Sequence, residues 1–246
     1  RTRMTGMFRL DKEARGARVC ERKYVAPAEA LAGAQAVLGL HCAPDPEHPC
    51  GIVESIYFDD GWFSSYWEKI DGDVYKRKVR LRWYAPLVGP PVRTGEIPAF
   101  LDVKDRIGAL REKRHVAFRG DAALLNAAGF RVPELQALLG REMRAAGLPV
   151  SAALTPTIGI RYRRQRYTCP CTGARISLDY ALRSPRANPA LFPGRAPLES
   201  GRIVCEVKAG DVREGPWAEG LMRLGFRLQS FSKYGLFMEM HLQGSI

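Results

Sequence analysis

The stretch KRKVRLRWY, residues 76–84, alternates so regularly that its reading decides the fold. Successive side chains of a β-strand point to opposite faces. As a strand it places Lys76, Lys78, Arg80, Arg82 and Tyr84 on one face, and Arg77, Val79, Leu81 and Trp83 on the other. A row of cations can simply face water, and other strands would then carry mixed or neutral outer faces. Alternatively the cations converge on a polyanion, and the same pattern must recur along the chain.

It recurs. FLDVKDR aligns Phe100, Asp102, Lys104 and Arg106 opposite Leu101 and Val103. RIVCEVK aligns Arg202, Val204, Glu206 and Lys208 opposite Ile203, Cys205 and Val207. Glu21 and Lys23 share a face in RVCERKYV, as do Tyr162, Arg164 and Arg166 in RYRRQRY and Arg175, Ser177 and Asp179 in ARISLD. Six strands thus oppose an apolar face to a charged one. Ordinary sandwiches turn apolar residues inward. Here an outer layer of helices would cover the apolar faces and leave the charges inside, which is tolerable only around a hydrated anion.

The rest of the chain fits that frame. Its 246 residues are enough for a substantial core, and 38 Lys+Arg against 26 Asp+Glu give a net charge of +12. Such a balance calls for an anionic partner: nucleic acid, an anionic membrane or a phosphorylated molecule. No run of apolar residues is long enough to span a bilayer. Residues 1–17 read as a basic leader without a signal core, ahead of a single domain over 18–246, and the chain reads as cytoplasmic.

Strands are expected over 18–25, 51–60, 99–108, 111–119, 157–169, 173–182 and 201–210. Residues 66–85 read as two successive strands turning at Asp71-Gly72-Asp73. Helices are expected over 26–41, within 120–150 and over 216–226, and 230–240 closes the chain. The sum is an antiparallel, β-rich α+β domain with helices between groups of strands, and about eight strands would suffice to close a barrel with those helices around it.

Six cysteines read as scattered thiols rather than a disulfide framework. Cys169 and Cys171 in TCPCTG, with Cys42 and Cys50, could be imagined as a zinc site, but neither pair has the usual spacing. Nucleic acid is disfavoured as the partner. The aromatics share strands with cations as wall residues, and no helix-turn-helix, RNA-recognition or zinc-finger signature is present.

The motifs ERKY, SIYFDD, KVRLRWY, LDVKDR, RISLD, CEVK and SFSKYG occur in an order that resembles the VTC domain, over roughly residues 18–240. This is the polyphosphate polymerase domain of the vacuolar transporter chaperone family, within the triphosphate tunnel metalloenzymes. The sister branch opens with Glu-x-Glu-x-Lys; the stretch Val19-Cys20-Glu21-Arg22-Lys23 lacks the first glutamate, which favours the VTC branch.

The resemblance implies an eight-stranded tunnel, open at both ends. It implies ATP-dependent transfer of the γ-phosphate to a growing polyphosphate chain, assisted by Mn²⁺ or Mg²⁺. Lys23, Arg80, Arg82, Lys104, Lys113, Arg164, Arg175 and Lys233 would contact phosphates, with Lys78, Tyr162 and Ser232 binding substrate and Glu206 holding the metal. The family usually has Glu at the position of Asp102, so a metal role is not carried over to it. No phosphate-sensor domain is expected ahead of the motifs and no membrane segment after them, so polymer is expected to be released into the compartment holding the enzyme unless a separate membrane protein exports it. A triphosphate or polyphosphate hydrolase and a non-catalytic polyphosphate-binding module remain alternatives, because they need the same cations.

Overall fold

The computed structural model describes residues 20–70, 75–108, 110–210 and 215–243. The basic leader and the Asp71-Gly72-Asp73 turn lie outside the described residues. One antiparallel sheet dominates. Its long strands are β1 (Cys20–Pro27), β3 (Cys50–Asp59), β4 (Tyr75–Ala85), β5 (Glu96–Ile107), β6 (Leu110–Asp121), β7 (Thr155–Thr168), β8 (Arg175–Ala187) and β10 (Arg202–Ala209). Two-residue strands β2 (Ala43–Pro44), β9 (Leu198–Glu199) and β11 (Arg227–Leu228) sit at its margins. The hydrogen-bonded order is β11-β1-β10-β8-β7-β3-β4-β5-β6, with β2 on β7 and β9 on β8.

The expected barrel is not closed by hydrogen bonds, since β6 does not pair back to β1 among the described residues. The sheet nevertheless curls. Lys104 on β5 feels the charges of Glu21 on β1 and Glu206 on β10, although these strands lie far apart in the pairing order.

Helices cover the outside as the alternation demanded. Val79, Leu81 and Trp83 of β4 and Leu101 and Val103 of β5 are buried under Leu135, Leu138, Leu139 and Met143 of α4 (Val132–Ala145). On the other flank, Ile203, Cys205 and Val207 pack with Leu38 of α1 (Leu31–His41) and Trp217 and Leu221 of α5 (Trp217–Arg223). Each buried aliphatic contributes about 1.5–3 kcal/mol.

Residues 66–70, expected as strand, belong instead to helix α2 (Ser64–Ile70). Asp60 Oδ1 accepts from the backbone N–H groups of Trp62 and Ser64, and Asp59 Oδ1 accepts from that of Ser65. These acceptors satisfy donors that a helix start leaves open, and this local capping outweighs the short alternating pattern. The remaining helices are α3 (Ala122–Leu125) and α6 (Lys233–Gln243). Among the described residues no helix is long and apolar enough to cross a membrane.

Helix α6 lies inside the curl. Its Tyr234, Phe237 and Met238 are buried against inward-facing Val25, Val53, Tyr57, Ile158, Ile160 and Val204. A bulge in β8 serves this packing. Arg163 pairs with Tyr180 but Arg161 with Arg183, so β8 carries an extra residue, and Ala181 has φ 50°. The extra residue reverses the alternation, so Leu182 and Ser184 join the inner side; Ser184 Oγ lies 2.9 Å from Nε2 of His241 on α6.

Candidate phosphate-binding site

The inner face divides midway along its strands. One half is apolar and sealed by α6; the other half is charged. Register fixes the charged half row by row. Arg166, Ser177, Glu206 and Lys23 lie side by side across β7, β8, β10 and β1. Lys78, Lys104 and Lys113 lie side by side across β4, β5 and β6. The site is therefore built by a few residues from each of many strands, with no single loop supplying it.

Two buried aspartates organise the arginines. Asp102 Oδ2 accepts from Arg80 Nε at 2.8 Å and lies 3.0 Å from Arg82 Nε, while Oδ1 lies 2.6 Å from His115 Nδ1. Burial alone would raise this carboxyl. The His115 hydrogen bond and the charges of Arg80 and Arg82 outweigh it and hold Asp102 well below the usual carboxylate range. Asp179 accepts from Arg164 Nε at 2.6 Å and Nη2 at 2.7 Å, and from Lys233 Nζ at 2.6 Å. It too stays ionised: burial opposes the charge, but Arg164 and Lys233 prevail.

The aromatic wall holds the same cations. Arg80 donates to the Tyr57 hydroxyl at 3.0 Å, Arg82 to the Tyr84 hydroxyl at 3.0 Å, and Lys233 Nζ sits 4.5 Å above the Tyr162 ring. The segment entering α6 crosses the interior. Lys23 donates to the Phe231 carbonyl at 3.1 Å, and Lys78 to Ser232 Oγ at 3.2 Å. Ser232 Oγ also accepts from the backbone of Gly235.

Every cation expected to contact phosphate is thus on the inner face or at its rim. Arg164 points inward and Arg163 outward, which settles a register that one residue of slip would have reversed. Lys104 is unusual. Desolvation within the curl and the nearby charges of Arg80 and Lys23 push it down to about 8, against the pull of Glu21 and Glu206, although solvent still reaches the residue. Lys113 and Arg175 are exposed at opposite sides of the charged half, Arg175 beside Lys208.

The alternation also contained residues that the motif reading left out. Asp179 shares the face of Arg175, His115 is reached by counting two residues from Lys113, and Tyr57 is fixed by its pairing with Arg80. Only pairing between distant strands shows that Asp102 and Asp179 are spent on arginines.

Glu206 is held ionised, as a carboxylate ligand of a hard divalent cation must be. Burial would raise it, yet Arg164, Lys23, Lys208 and Lys233 hold it well below the ordinary glutamate range. Glu21 is its diagonal neighbour on the same face, since Glu21 pairs with Lys208 and Glu206 with Lys23. Among the described residues no group of three His, Cys, Asp or Glu side chains could hold a metal ion. A cation here would complete its shell with phosphate oxygens and water, as Mg²⁺-like ions commonly do.

The sequence profile of the VTC domain matches residues 19–241. No match is found among curated proteins. Among solved structures, a Bacillus halodurans protein provisionally described as an adenylate cyclase aligns with TM-score 0.46 and 14% identity, over 86% of this chain and 92% of that one. A Vibrio parahaemolyticus protein with the same provisional description aligns with TM-score 0.42 and 12% identity, over 88% and 95%.

Proposed function

The chain belongs to the VTC domain family, and from that premise we propose that it is a cytoplasmic, ATP-dependent polyphosphate polymerase. The observation that carries the reading is the convergence on one inner face of cations from β1, β4, β5, β7 and α6 around the ionised Glu206.

Phosphoryl transfer asks for alignment and for stabilisation of charge on the equatorial oxygens, with little covalent help. Arg80, Arg82 and Arg164 offer planar donor pairs suited to phosphate oxygens, and Lys23, Lys78, Lys104 and Lys233 offer compact charges. Asp102 and Asp179 pre-set the arginine geometry, so little reorganisation is needed when substrate arrives. Tyr162 and Ser232 line the same space, with Lys113 and Arg175 at its rim. A terminal oxygen of the polyphosphate chain attacks the γ-phosphorus, the bond to the β-phosphate oxygen breaks, and ADP leaves. Glu206, with Glu21, would hold Mn²⁺ or Mg²⁺, which when bound supplies further neutralisation of phosphate charge.

Incubation with ATP labelled at the γ-phosphate, with Mn²⁺ present, tests this. The label should enter long polymer while unlabelled ADP accumulates. Orthophosphate as the sole labelled product, together with cleavage of added tripolyphosphate, would make the protein a tunnel hydrolase. Tight polyphosphate binding without turnover of either substrate would make it a binding module.

A further inference from the structure

The hairpin tip between β7 and β8 carries a feature that phosphate chemistry does not use. Cys169 and Cys171 flank Pro170, and their sulfurs lie 3.2 Å apart. The tip is closed on itself: Cys169 N–H donates to the Ala174 carbonyl at 2.9 Å, and Gly173 N–H donates to the Cys169 carbonyl at 2.8 Å. Gly173 has φ 66°, a conformation that suits glycine. Cys169 is buried and Cys171 exposed.

We propose that Cys169 and Cys171 form a dithiol modification site, oxidised by hydroperoxides to an intramolecular disulfide. A disulfide needs sulfurs about 2.05 Å apart, so closure has only to bring together two sulfurs that already lie 3.2 Å apart. The local environment supplies the thiolate. Burial opposes charge on Cys169, but the Thr172 hydroxyl, the Cys171 thiol and the backbone N–H groups of Thr172 and Cys171 stabilise it and bring it down to about 7. Cys42 lies against the pair, yet burial and the Cys169 charge push it up to about 12, so it remains a neutral thiol and a poor resolving group.

The exposed sulfur meets the oxidant. The Cys169 thiolate takes the proton from the Cys171 thiol as that sulfur attacks one peroxide oxygen. The O–O bond breaks, hydroxide leaves, and Cys171 becomes a sulfenic acid. Attack by Cys169 sulfur on Cys171 sulfur then expels the sulfenic oxygen as water, the Cys169 proton leaving with it. The two sulfurs together lose two electrons and the peroxide gains them.

The test is oxidation of the whole chain with a small excess of hydrogen peroxide near pH 7, followed by alkylation, digestion and mass spectrometry. The peptide holding both residues should lose two hydrogens and resist alkylation, well before the exposed Cys50 reacts. In Cys169→Ser, which lacks the base, a sulfenic acid should form more slowly at Cys171 but persist and be captured by dimedone; in Cys171→Ser the fast phase of peroxide consumption should fall at least tenfold. Oxidation no faster than at Cys50, a disulfide to Cys42, or co-purified zinc that shields the thiols would each overturn the assignment.

Discussion

Asp102 accepts a hydrogen bond from Arg80 and also contacts Arg82 and His115, so its removal would strand two guanidinium groups on the inner face. Breaking a buried pair costs about 3–5 kcal/mol. Asp102→Ala should come near the low end, about 3 kcal/mol by urea denaturation, because both arginines keep some access to water. Tripolyphosphate should restore part of that loss by offering oxygens to the same arginines, so its stabilising effect should be larger in the variant than in the wild type. Equal stability of variant and wild type would mean the cluster holds nothing together. Lys104 makes a pH prediction. With its amine near 8, it is charged at neutral pH and loses that charge as the solution becomes more basic. Tripolyphosphate affinity should weaken as pH rises through about 8, and Lys104→Arg should flatten that part of the profile. The same shift affects stability in the opposite sense. The unfolded lysine binds its proton up to about 10.4, so the charged form penalises the fold below pH 8, and the penalty fades as pH rises from 8 towards that value. A pH profile of affinity identical in wild type and Lys104→Arg would rule out this role.

At the scale of elements, α6 determines how much of the curled sheet is available for ligand. Phe237 and Met238 are fully buried under the apolar half of the inner face, and Tyr234 donates to Asp59 Oδ2 at 2.5 Å. Phe237→Ala should cost about 3–5 kcal/mol, read as a lower midpoint in thermal unfolding. Because Lys233 and Ser232 sit at the start of the same helix, tripolyphosphate affinity should fall as well. A destabilised variant with unchanged affinity would show that the helix start is anchored by its own contacts to Asp179 and Lys78. The strands were legible from alternation alone because charged and apolar residues occupy opposite parities over β1, β4, β5 and β10. Alternation failed at α2, where two capping aspartates override a five-residue pattern, and it could not foresee β8, where an extra residue near Ala181 reverses parity until a second register shift before Arg186 restores it. The role of 233–243 as an interior plug was hidden because its neighbours come from strands remote in sequence.

At the scale of the molecule, the surplus of positive charge is concentrated where it would otherwise be least tolerable. Lys78, Lys104 and Lys113 side by side repel one another, and Asp102 and Asp179 neutralise only the arginines and Lys233. The fold is therefore expected to be more stable with a polyanion than without one, and binding should weaken steeply as salt screens the field. The sequence motifs located this basic interior but could not show that the expected closed, open-ended barrel is a sheet whose two edge strands do not pair among the described residues and whose inner face is half filled by α6. Both facts depend on how far the sheet curls, which pairing and packing decide together. The most direct measurement is calorimetric titration of tripolyphosphate into the wild type, Arg82→Ala and Arg131→Ala, the last altering an exposed cation on α4 paired with Glu134. The account predicts one tripolyphosphate per chain, at least tenfold weaker binding for Arg82→Ala, and wild-type affinity for Arg131→Ala. Equal losses in the two variants, or no saturable binding at all, would contradict an inward-facing phosphate site.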